Sequence, residues 1–95
     1  MNVDYLPGAR VDFDETYDWY SARSPTAANR FITAIDDALA VVVSNPLRFA
    51  SDDGIHRLCP VRRFPFRIVY RIESDTIIVV AITHGSRSST YWQDR

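Results

Sequence analysis

A single cysteine, Cys59, leaves no partner for an internal disulfide, which fits a reducing, cytoplasmic setting. No apolar run approaches the roughly 20 residues that a membrane-spanning helix needs. The first residues, Met1-Asn2-Val3-Asp4, lack the basic region and apolar stretch of a secretory signal. With only Gly8, Gly54 and Gly85, there is no glycine-rich loop to cradle a phosphate. Cys59, His56 and His84 lack the paired spacing of a metal site, and a cysteine inside a strand usually serves packing. Repeats, low-complexity tracts and linkers are also missing. The expectation is one small soluble domain over residues 1–95, cytoplasmic, away from membranes, with neither metal nor cofactor.

Lysine is missing altogether: all 11 basic residues are arginine. Their distribution is uneven. Residues 1–54 hold nine acids and four arginines, for a net of −5, whereas residues 55–95 hold three acids and seven arginines, for +4. Arginine presents a rigid fork of donors suited to phosphate or carboxylate, so the second half is a candidate anion-binding surface. The competing reading is a solvated face whose arginines pair with the acids of the first half.

What is present organises into alternating elements. Val3-Asp4-Tyr5-Leu6 reads as a short strand, and Pro7-Gly8 as a turn that ends it. From Ala9 to Ala22, Phe13, Tyr17 and Tyr20 share one helical face, with acids gathered toward the helix start. Ser24-Pro25 supplies an N-cap and a first-turn proline for a second helix. Phe31, Ile35, Leu39 and Val42 recur along it at helical spacing, and Asn45-Pro46 stops it. Arg57 to Arg63 reads as a strand interrupted by Pro60, which places it at a sheet edge or a bulge. In the next strand Phe66, Ile68, Tyr70 and Ile72 alternate with Arg67 and Arg71. After a turn at Ser74-Asp75, Thr76 to Thr83 is apolar on both faces, as a central strand should be. The predicted architecture is a two-layer α+β domain, β-α-α-β-β-β. A helical hairpin packs on a mainly antiparallel sheet, and a short C-terminal tail or helix ends in Tyr91-Trp92-Gln93-Asp94-Arg95.

The stretch Val61-Arg62-Arg63-Phe64-Pro65-Phe66-Arg67-Ile68-Val69-Tyr70-Arg71 resembles a motif of the ParE/RelE toxin family: arginine, Phe-Pro-aromatic, then a strand ending in Tyr-Arg. Ile77 to Ile82, then His84, Arg87 and Tyr91-Trp92 with Arg95, resemble the family's last strand and C-terminal signature. Where the family often carries proline before Tyr-Trp, this chain reads Arg87-Ser88-Ser89-Thr90. The resemblance spans nearly the whole chain. It implies the toxin component of a type II (plasmid stabilisation) toxin–antitoxin system, held silent by a cognate antitoxin.

Two mechanisms divide the family. RelE-like members cut mRNA inside the ribosome; ParE-like members inhibit DNA gyrase without known catalysis of their own. RNA cleavage needs a proton acceptor, a charge-stabilising group for the phosphorane and a proton donor. His84 is the acid/base candidate, Arg67 a phosphate holder, and Arg87 and Tyr91 complete the nuclease constellation. Arg62, Arg63 and Arg71 are the binding candidates. For each the structural alternative stands: His84 closing a strand, the arginines solvating a face, Tyr91-Trp92 anchoring the tail. His56, with no evident partner, reads as surface. Against the nuclease stand the missing lysines and a pI near 6.0, because docking on ribosomal RNA gains from strong positive charge. The reading is therefore a ParE-like gyrase poison, with a RelE-like nuclease and a non-toxic antitoxin-binding domain as alternatives.

Overall fold

The computed structural model describes residues 1–85 and 91–95. Strand β1 (Asn2–Tyr5) is followed by helices α1 (Pro7–Arg23) and α2 (Pro25–Ser44), then β2 (Arg57–Pro60), β3 (Phe66–Glu73) and β4 (Thr76–His84). The strands form one sheet in the order β1-β4-β3-β2. β1 runs parallel to β4, and the other pairings are antiparallel. This is the expected α+β arrangement. β2 lies at the sheet edge and ends at Pro60, which cannot donate to a ladder.

The helix boundaries follow from local chemistry. The Ser24 hydroxyl accepts from the Ala27 N–H at 3.2 Å, and Pro25 occupies the first position, where a missing N–H costs nothing. α2 ends at Ser44, before Asn45-Pro46. Pro7-Gly8 departs from the expectation of a turn: both residues belong to the first turn of α1. The fixed φ of proline suits that position as well as it suits a turn. Gly8 faces the chain's other end, where an added Cβ would lie 2.5 Å from Cζ of Arg95.

The main core lies between the helical hairpin and one face of the sheet. Phe31, Ile35 and Val42 of α2 pack there with Ile68 and Tyr70 of β3 and Ile77 and Val79 of β4. Each is essentially fully buried, contributing about 1.5–3 kcal/mol of transfer free energy for the large aliphatic and Phe side chains. The Tyr70 hydroxyl donates to the carbonyl of Pro46 at 2.6 Å, fixing the chain where it leaves α2. A smaller cluster on the opposite face joins Val69, Val80 and Ala81 to Trp92 of the tail. No helix among the described residues is long and apolar enough to cross a membrane.

Candidate functional site

A β-bulge decides where the candidate residues point. Val69 pairs with Ala81 and Tyr70 with Val79, which leaves Val80 as an extra residue on β4. Before the bulge, Ile77 and Val79 face the helices; Val80 and Ala81 both face away, and Ile82 returns to the helix side. His84, two residues on, shares that side, with its ring 5.2 Å from the ring of Phe66 and nearly perpendicular to it. β3 keeps simple alternation, so Arg67 and Arg71 turn to the face away from the helices, as expected. Arg67 pairs with Thr83, next to His84, yet the arginine and the imidazole occupy opposite faces of the sheet.

The remaining members of the predicted constellation are also dispersed. Arg71 donates to the backbone carbonyl of Arg95 at 2.9 Å and lies 3.7 Å from the Glu73 carboxylate. Arg87 lies outside the described residues. Tyr91 closes an edge. β1 covers β4 only as far as Val79, so the backbone groups beyond it need other partners. Asp12 of α1 accepts from the Ile82 N–H at 3.2 Å, Arg95 donates to the Val80 carbonyl at 3.0 Å, and the Tyr91 hydroxyl lies 3.4 Å from the Ile82 carbonyl. Arg95 and Asp12 are ion-paired at 2.8 Å, and the Asp12 side chain is only 9% exposed. Asp12 had counted only as one of several acids near the start of the first helix; nothing in helical spacing marks it as the acid that turns inward.

His56 corrects another expectation. Read as surface, it is buried, its ring 5.0 Å from Trp92. Its Nδ1 lies 2.7 Å from Asp53, which also accepts the backbone N–H groups of His56 and Ile55. The hydrogen bond to the His56 ring, followed by the two backbone bonds, holds the Asp53 carboxyl well below the usual carboxylate range. The pattern Asp53-Gly54-Ile55-His56 carried a usable signal: an aspartate capping the backbone two and three residues on. Cys59 is buried as expected, and burial pushes its thiol up to about 11.

Arg62 and Arg63 have a distinct setting. The turn after β2 closes with the Phe64 N–H donating to the Val61 carbonyl at 3.2 Å, and Arg63 sits at φ 70°, a left-handed conformation disfavoured for a side chain of its kind. Both arginines are exposed, and neither is ion-paired to a carboxylate among the described residues. They flank a groove of about 1220 Å³ between α2 and the outer edge of β2. Its floor is apolar, with Ala34, Ala38, Val41, Phe49 and Phe64, and Arg30, Arg48 and one carboxylate, Asp37, add to its rim. The structure thus gathers Arg62 and Arg63 with two arginines that sequence reasoning had not singled out.

Comparison with known proteins agrees with this architecture. No curated protein sequence matches the chain. A solved structure of the chromosomal ParDE TA system from P. aeruginosa superposes with a TM-score of 0.74 at 23% identity, covering 88% of this chain and 95% of that one. The sequence model of the ParE toxin of type II toxin–antitoxin system, parDE, matches residues 3–89. This chain belongs to the ParE toxin family of type II toxin–antitoxin systems.

Proposed function

We propose that the chain is a ParE-like toxin that poisons DNA gyrase by surface binding and is neutralised by a cognate antitoxin. The observation that supports this over RNA cleavage is the bulge at Val80, which turns His84 toward the helices while Arg67 faces the other way. A nuclease site needs its acid/base and its phosphate-holding cation within reach of one phosphate. Arg71 and Tyr91, the neighbouring candidates, are engaged with the tail and the β4 edge.

The antitoxin reading rests on the α2–β2 groove. An apolar floor rimmed by Arg30, Arg48, Arg62 and Arg63 suits an amphipathic, acidic segment laid lengthwise. The left-handed backbone at Arg63 supports a partner-binding role there, since strain of this kind collects at recognition sites.

The test is reconstitution. Purified chain added to DNA gyrase should block supercoiling, and the protein encoded beside it should relieve the block at equimolar ratio. Supercoiling that proceeds unchanged at saturating toxin would overturn the gyrase reading. Two species that migrate independently would overturn the antitoxin reading.

A further inference from the structure

A second concavity, of about 450 Å³, lies between α1 and the loop leading into β3. Trp19, Tyr20, Pro65 and Phe66 form its apolar wall, and Glu15 and His84 stand at its border. The rings run in series: Trp19 meets Tyr20 at 5.1 Å, Tyr20 meets Phe66 at 6.4 Å and Phe66 meets His84 at 5.2 Å, each pair nearly perpendicular. Trp19 is 53% exposed, unusual for the largest side chain of a small domain. Glu15 is exposed one turn before it and has no ion pair among the described residues.

We propose that this aromatic pocket is a binding site for a basic side chain, arginine or lysine, presented by a partner protein. Electron-rich ring faces attract a cation, and a carboxylate one helical turn away supplies the opposite charge. The chain already shows what the indole accepts: Arg23 lies over Trp19 at 3.8 Å while donating to its backbone carbonyl. An indole has two faces, so an incoming guanidinium has the same chemistry open to it. Glu15, the one carboxylate that lines the pocket, disfavours a nucleic acid, whose phosphates it would repel. The pocket is bordered by a carboxylate where the groove on α2 is rimmed by arginines, so the two surfaces suit different partners. This site stands whether or not gyrase is the target.

The experiment uses the full chain labelled with ¹⁵N. Its two tryptophans give two indole signals, exposed Trp19 and buried Trp92, so the second is an internal control. N-acetyl-arginine amide, N-acetyl-leucine amide and AMP are titrated separately at about pH 8, above the ordinary histidine range. The Trp19 signal should move saturably with the arginine probe while Trp92 stays still. The leucine probe should bind at least about fivefold more weakly, and AMP should not bind. Glu15→Gln, at an exposed position, should weaken the arginine probe by about fivefold with both indole signals otherwise in place. A Trp19 signal unmoved by arginine overturns the proposal. So does equal binding of leucine, which would make the pocket merely apolar, or preference for AMP, which would make it a nucleotide site.

Discussion

The two faces of the sheet are held by different means. The helix face is covered by two long helices and a core of interlocking rings, among them Phe31, Tyr20, Phe64 and Phe66. The opposite face is covered by a tail in which, among the described residues, Trp92 alone is buried, aided by Leu58 and Tyr91. What the second face lacks in apolar area it replaces with directed bonds, from Arg95 to Asp12 and from Arg71 to the last carbonyl. One face is secured by area, which tolerates repacking; the other by a few polar contacts, each of which matters singly.

The comparison can be broken by truncating each side. Phe31→Ala, in the centre of the ring network, should destabilise by about 3–5 kcal/mol in chemical denaturation. Against the marginal stability of a domain this size, that approaches full unfolding. Asp12→Ala should follow at about 2–3 kcal/mol, because it leaves the Arg95 guanidinium unpaired and the Ile82 N–H without a partner. Deleting Arg95 should give a comparable loss. If removing the pair proved neutral, the tail face would rest on Trp92 packing alone.

Arg63→Gly separates stability from recognition. Relieving the left-handed backbone should stabilise the fold by up to about 1 kcal/mol in thermal melts. The same change should weaken antitoxin binding in calorimetry, since it removes one rim charge of the groove. Weaker stability together with unchanged binding would deny Arg63 its proposed role.

The smallest effect concerns acid. The Asp53 carboxyl titrates lower in the fold than in the unfolded chain, so its contribution is present above the ordinary carboxylate range and is lost as pH falls through the folded value. The His56–Trp92 contact should therefore persist through the range where ordinary carboxylates protonate, as read from the Trp92 indole signal. Asp53→Asn, which has no carboxyl to titrate, should displace that signal already at neutral pH and should loosen the loop.

Much of the fold was legible because its signals are local. Ser24-Pro25 and Asn45-Pro46 bracket α2, and the alternation from Phe66 to Ile72 assigns the two faces of β3 without any tertiary information. The site was less legible for an equally physical reason. Thr76 to Thr83 is apolar throughout, so nothing in it marks Val80 as an extra residue, and one such residue reverses the face of everything after it. That reversal is what parts His84 from Arg67. Asp12 was hidden similarly, because an inward acid needs an arginine 83 positions away to explain it. His56 was hidden for the same reason, since its ring meets that of Trp92, far along the chain. Pro7-Gly8 was ambiguous at the level of residue chemistry itself.

The most direct test of the account is a map of new RNA 5′ ends across the transcriptome, taken minutes after inducing the chain alone in bacterial cells. With His84 and Arg67 on opposite faces, the map should match that of uninduced cells even as division stops. Cuts clustered within translated codons, dependent on translation and abolished by His84→Ala, would contradict it and restore the nuclease.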